Sequence, residues 1–162
     1  TGLYVSHYFR RRVTEELKRS RRYGFPISVT LFDLDYFKQV NDTYGHLTGD
    51  QVLREMGNLL RRSSRRDVDV VARYGGEECG ILLPETAQDG AVVVAERIRR
   101  SVEDFTFCGG RIRMTTSGGV ATFPDDAMTY EELLERADIQ LYRAKRAGRN
   151  RIYAADMEFP MR

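Results

Sequence analysis

The residues in this chain best suited to chemistry are carboxylates placed where strands end or turn. Glu77 and Glu78 follow Gly75-Gly76, with Val68, Val70 and Val71 before the pair and Ile81 to Leu83 after it. Two strand-like runs joined through Gly-Gly predict a β-hairpin with positive φ at the glycines. Adjacent carboxylates on a turn that lets a ligand approach the backbone supply oxygens for a hard divalent cation, although the same pair also reads as a solvated hairpin tip. Asp33 follows the alternating, β-branched run Ile27 to Phe32, which sets it at the C-terminal end of a strand, where open sheets keep their chemistry. Asp35 fits a helix N-cap, an explanation that leaves Asp33 without a structural task. Lys38, Lys145 and Arg149 add cations, and Asn41 and Asp50 add a polar pair. Carboxylates with basic residues are the ingredients of a metal-bound triphosphate site, because the metal needs oxygens and the phosphates need both metal and cations. Transfer at phosphorus is mostly positioning and charge stabilisation, so no Ser or Cys nucleophile is required. The residues alone therefore predict a Mg²⁺-nucleotide site.

Several elements must position these groups. Tyr4 to Tyr23 reads as a helix stopped by Gly24-Phe25-Pro26. Asn41 to Asp50 reads as a turn leading into a helix with Val52, Leu53, Met56, Leu59 and Leu60 on one face. Asp50 is expected in that helix's first turn, where the dipole favours a carboxylate and a plain capping role is equally open. Ala87 to Asp104 and Tyr130 to Arg146 repeat helical patterns, Arg111 to Ala121 alternates as a strand, and Ile152-Tyr153 reads as a short last strand. Lys145, Arg146 and Gly148 suit a helix C-terminus, and the same cations would make a phosphate clamp.

Composition narrows the class. The 162 residues make about one α/β domain, expected to span 1–162, with 31% charged and 41% hydrophobic residues. A net charge of +2 forces neither a nucleic-acid nor a membrane partner. The arginine clusters at 10–12, 21–22 and 61–66 lack the interleaved aromatics of a base-stacking platform and read as solvated helix faces. No apolar run approaches the roughly 20 residues of a membrane span. Two histidines exclude a His-rich metal site, and Cys79 and Cys108, without ligand spacing, read as reduced core thiols of a cytoplasmic protein.

Five motifs, in order and spacing, resemble the GGDEF diguanylate cyclases. They are Phe32-Asp33-Leu34-Asp35-Tyr36-Phe37-Lys38; Asn41-Asp42-Thr43-Tyr44-Gly45-His46 with Gly49-Asp50; Arg73-Tyr74-Gly75-Gly76-Glu77-Glu78; Ser117-Gly118-Gly119-Val120-Ala121; and Ala144 to Asn150. The resemblance implies a palm-like domain with a five-stranded, mostly antiparallel sheet flanked by helices, similar to nucleotide cyclase catalytic domains. It implies condensation of two GTP into cyclic di-GMP with release of pyrophosphate, by a homodimer of the cytoplasmic domain controlled by an upstream regulatory domain. Asp33, Glu77 and the Leu34 carbonyl would ligate Mg²⁺ or Mn²⁺. Lys38, Lys145 and Arg149 would hold phosphates, and Glu78 would assist at the attacking 3′-hydroxyl or the metal. Asn41 and Asp50 would meet the guanine edge, where a carboxylate accepts from N1–H and the exocyclic amine but faces a lone pair on adenine.

Arg66-Asp67-Val68-Asp69 resembles the family's RxxD site, at which cyclic di-GMP acts as product inhibitor, and Arg97 falls where the family places a secondary arginine. Read alone, an RxxD is an ordinary surface ion pair. The chain departs from the family at Cys79, where Phe is usual, and a buried Phe-to-thiol change leaves a void worth about 1–4 kcal/mol unless neighbours fill it. A compensated core is the expectation. The alternative is a degenerate domain that binds GTP or cyclic di-GMP as a receptor. Val5, Ser6 and His7 depart from the family at the opening turn, and Gly118 and Gln140 replace usual apolar residues.

Overall fold

The computed structural model describes residues 6–155, so the opening motif Thr1 to Tyr4 and Val5 lie outside the described residues. Helix α1 (Ser6–Tyr23) turns Phe9, Val13 and Leu17 inward at four-residue spacing. It ends as expected: Gly24, at φ +78°, donates its N–H to the Ser20 carbonyl at 2.8 Å. Strand β1 (Ile27–Leu34) is buried along all eight residues, so it is a central strand covered on both faces.

Helices α2 (Phe37–Tyr44) and α3 (His46–Ser63) follow, parted at Gly45 with φ +91°. The expected turn at 41–50 is thus mostly helical. Burial of Phe37 and Val40 outweighs the weak helix propensity of Asn41, Asp42 and Thr43. Asn41 lies within α2, and Asp50 lies beyond the first turn of α3, whose N-cap is Gly45. Asp50 is therefore not a capping residue.

Next come β2 (Val70–Arg73), β3 (Glu78–Leu83), α4 (Gln88–Asp104), a kinked turn α5 (Phe107–Gly110), β4 (Ile112–Arg113), β5 (Thr116–Phe123), α6 (Tyr130–Arg146) and β6 (Ile152–Ala154). The single strand expected over 111–121 is broken, because Thr115 serves another segment. Its carbonyl accepts from the Asp35 N–H at 2.9 Å and its hydroxyl donates to the Asp35 carboxylate at 2.6 Å.

The strands order as β2-β3-β1-β5-β6, antiparallel except for the parallel pair β5 and β6. This is the five-stranded, mostly antiparallel sheet the resemblance implied. Helices α1 and α6 cover one face over Val29, Leu31 and Leu82, while α2, α3 and α4 cover the other over Phe32, Ile81 and Val120. Thr129 caps α6 by accepting from the Glu132 N–H at 3.1 Å. The helix lies very close to β5, since a Cβ on Gly119 would sit 2.1 Å from the Ala137 carbonyl oxygen and 2.3 Å from the Leu141 nitrogen. That approach brings Lys145, in the last turn of α6, to the end of β1. Among the described residues no helix is long and apolar enough to cross a membrane.

Candidate active site

Strand register decides which carboxylates meet. Asp33 on β1 lies opposite Glu78 on β3 and Ser117 on β5, and directly opposed antiparallel residues project to the same face. Asp33 is only 7% exposed. Its Oδ2 is ion-paired with Lys145 Nζ, and its carbonyl accepts from Thr116 Oγ1 at 2.8 Å. Its Oδ1 is buried with no hydrogen-bond partner.

Burial raises the Asp33 pKa above the ordinary carboxylate value; Lys145 opposes the shift, and the charges of Glu77 and Asp35 add to it. Burial likewise raises Glu78, reinforced by Asp33 and Asp138. Carboxylates perturbed upward by burial and by one another are short of positive charge. Among the described residues no group of three or more His, Cys, Asp or Glu side chains could hold a metal by itself. An unpartnered Asp33 oxygen with Glu77 nearby and the Leu34 carbonyl next in the chain fits a hard cation that takes its remaining oxygens from phosphate and water.

The turn bearing Glu77 is a four-residue connection, Tyr74 to Glu77, between β2 and β3. The N–H groups of Tyr74 and Gly75 both donate to the Glu78 carbonyl, at 2.8 and 3.2 Å. Arg73 Nε fastens the loop to the carbonyls of Gly75 and Gly76, at 3.2 and 3.0 Å. Contrary to expectation, neither glycine is left-handed, because a four-residue loop does not need the primed turn of a two-residue hairpin. A Cβ on Gly75 would lie 2.8 Å from Glu78 Oε2, so any side chain there would push the Glu78 carboxylate aside.

Asp35 is not the cap of α2. The N-cap is Tyr36, with no side-chain cap bond, and Asp35 instead accepts from Thr115 Oγ1 (2.6 Å), Ser117 Oγ (2.8 Å) and the Asn150 N–H (3.0 Å). Those partners lie 80 to 115 residues away, so spacing from Asp33 was the only sequence signal for this knot. The Lys145 ion pair was hidden for the same reason. Lys38 stands exposed in the first turn of α2, and the Arg149 guanidinium lies 4.7 Å from the centre of the Tyr36 ring. Asn41 sets its amide oxygen against Gly49, where a Cβ would come within 1.8 Å, and the next residue is the exposed Asp50.

The RxxD segment is arranged differently from a simple Arg66–Asp69 pair. Arg66 is exposed, while Asp69, its side chain 2% exposed, is gripped by Arg65 through Nη2–Oδ1 at 2.7 Å and through the Arg65 N–H to Oδ2 at 2.7 Å. Arg65 is itself tied to the Pro84 carbonyl at 2.9 Å. Arg97 donates to the Ser63 carbonyl at 2.8 Å, which brings it to the segment leading into Arg66.

A palm-type sheet that gathers carboxylates from a central strand and its neighbouring hairpin at one end, with a lysine against them, defines the class as a nucleotide-cyclase-like catalytic domain. The family described as "Diguanylate cyclase, GGDEF domain" matches residues 1–151, and the chain belongs to it. The chain is similar to Diguanylate cyclase A of Treponema denticola, 39% identical over 165 residues that cover 99% of this chain and 44% of the relative. It thus spans less than half of that relative's length. Among solved structures it resembles the active GGEEF domain of a diguanylate cyclase from Vibrio cholerae, at 29% identity and TM-score 0.89, covering 96% of this chain and 99% of that one. It also resembles the GGDEF domain of DgcB from Caulobacter crescentus in complex with c-di-GMP, at 32% identity and TM-score 0.88, covering 97% and 94%.

Proposed function

We propose that this chain is a diguanylate cyclase domain that condenses two GTP into one cyclic di-GMP and two pyrophosphates. The observation that carries the reading is the Asp33 carboxylate, with one oxygen on Lys145 and the other buried without a partner beside the Glu77-Glu78 turn. Asp33, Glu77 and the Leu34 carbonyl would hold Mg²⁺ or Mn²⁺, which when bound supplies charge neutralisation at the triphosphate. Lys145 stands ready to exchange its carboxylate partner for phosphate oxygens, together with Lys38 and Arg149. Glu78, on β3 toward the same end of the sheet, would take the proton of an attacking 3′-hydroxyl or assist at the metal. One GTP per chain means that two copies must face each other, each 3′-oxygen attacking the partner's α-phosphate as pyrophosphate leaves.

Asn41 and Asp50 supply guanine selection in this reading. Asp50 is exposed and makes no cap, so it is free to accept from guanine. Asp50→Ser is expected to reduce the preference for GTP over ATP by about tenfold or more in a competition assay, as loss of a charged hydrogen-bond partner does. Unchanged selectivity would remove Asp50 from the base site. Cyclic di-GMP would inhibit through Arg66 and Arg97, with Asp69 available to it only when Arg65 releases the carboxylate. The receptor reading draws on Cys79 and on the Arg66-to-Asp69 segment. It predicts binding of GTP with Mg²⁺ and recovery of the GTP unchanged.

A further inference from the structure

Two stretches at this end of the fold hold left-handed backbone without glycine. Tyr36, between β1 and α2, has φ +60°, and Arg149 and Asn150, between α6 and β6, have φ +64° and +48°. Such conformations disfavour side chains with a Cβ and persist only where the surroundings impose them. Here the two stretches are bolted together. Asp35 Oδ2 accepts from the Asn150 N–H at 3.0 Å, the Asn150 side chain is held by Arg99 at 2.9 Å and Glu103 at 2.7 Å, and the Arg149 N–H returns to the Ala144 carbonyl at 3.0 Å. The outcome of this bracing is a cation–π contact, with the Arg149 guanidinium carbon over the Tyr36 ring, 4.7 Å from its centre. The ring is not there to fill a core, since Tyr36 is 57% exposed.

We propose that Tyr36 is a positioning residue for nucleotide binding, its ring holding the Arg149 guanidinium flat so that the N–H edge stays free for the triphosphate. This rests on the reading of Arg149 as a phosphate-binding group. A guanidinium stacked on an aromatic face keeps its in-plane donors available for a forked contact with phosphate. A guanidinium already ordered by the ring also loses less side-chain freedom when the nucleotide arrives.

The test uses 3′-deoxy-GTP, which lacks the attacking hydroxyl, with Mg²⁺ in calorimetry, and guanosine in an NMR titration. The variants are Tyr36→Phe, which keeps the ring, and Tyr36→Asn, which removes it but tolerates left-handed backbone. The expected result is that Tyr36→Phe stays within about twofold of wild type, while Tyr36→Asn weakens the triphosphate about 3- to 10-fold. Guanosine affinity and Tm stay unchanged in Tyr36→Asn, and the same change made on Arg149→Ala costs nothing further. Equal weakening of guanosine, a fallen Tm, loss in Tyr36→Phe, or full additivity with Arg149→Ala would overturn the proposal. If Arg149→Ala alone left triphosphate affinity intact, the phosphate role of Arg149 would fall and this inference with it.

Discussion

The two carboxylate oxygens of Asp33 have different surroundings, Oδ2 paired with Lys145 and Oδ1 buried and unpartnered. Glu78 shares the same shortage of positive charge, and its effect on stability has a definite sign. Burial, then Asp33 and Asp138, raise its folded pKa above the ordinary 4.5. The folded state therefore binds the proton more tightly than the unfolded state, and the resulting stability is present below the unfolded value and lost as pH rises through the folded one. At pH 7 without metal, the ionised Glu78 costs stability. Glu78→Gln should raise Tm at pH 7 by about 1–3 °C, the shift expected from a fraction of a kcal/mol in a chain of this size, with no gain at pH 4. A Tm at pH 7 that is unchanged or lower would show that Glu78 is not strained in the free protein. Cys79 has the opposite character, its thiol pushed by burial to about 12 and thus an inert core atom.

At the scale of elements, Gly119 sets the distance between α6 and β5. A methyl there meets helix backbone rather than a movable side chain. Gly119→Ala should destabilise the chain by about 1–3 kcal/mol or more in urea melts and weaken GTP binding, because Lys145 rides on the displaced helix. A neutral Gly119→Ala would mean that the helix can slide without consequence. The row Cys79, Phe32, Gly118 runs across three neighbouring strands and carries one bulky ring between two small residues. A Cβ on Gly118 would already be 3.1 Å from that ring, so the space on this side of Phe32 is taken. Phe32 cannot move toward Gly118 to make room. Cys79→Phe is therefore expected to crowd the row and to destabilise by about 1–3 kcal/mol if the Cys79 side is filled as the compensated core requires, whereas a gain in stability would reveal a void beside Cys79. Local signals made much of the fold legible: Gly24 ended α1, the run from Tyr130 to Arg146 gave α6 its bounds, and the apolar runs Val68 to Val71 and Ile81 to Leu83 gave the hairpin. What was not legible depended on distant partners. Asn41 and Asp42 looked like turn residues until the burial of Phe37 and Val40 was counted, and Asp35 looked like a cap because Thr115, Ser117 and Asn150 lie far along the chain.

At the scale of the molecule, the sheet concentrates its chemistry at one end. Asp33 on β1, the Glu77-Glu78 turn, Lys145 on α6, Tyr36 ahead of α2 and Arg149 after α6 come from separate parts of the chain, yet strand register and the close seat of α6 draw them together. The RxxD segment leads into β2, at the end of the hairpin away from the Glu77-Glu78 turn, and there Arg65 rather than Arg66 holds Asp69. In the proposed function two copies would have to meet for their carboxylate turns to build cyclic di-GMP. The most direct measurement is incubation of concentrated wild type and Glu77→Gln, side by side, with GTP and Mg²⁺, the products resolved by chromatography and mass. The prediction is cyclic di-GMP from wild type and a rate at least about 10²-fold lower from Glu77→Gln, the loss expected when a group that stabilises developing charge is removed. Equal rates from both, or GTP recovered intact from wild type at concentrations where it is dimeric, would contradict it.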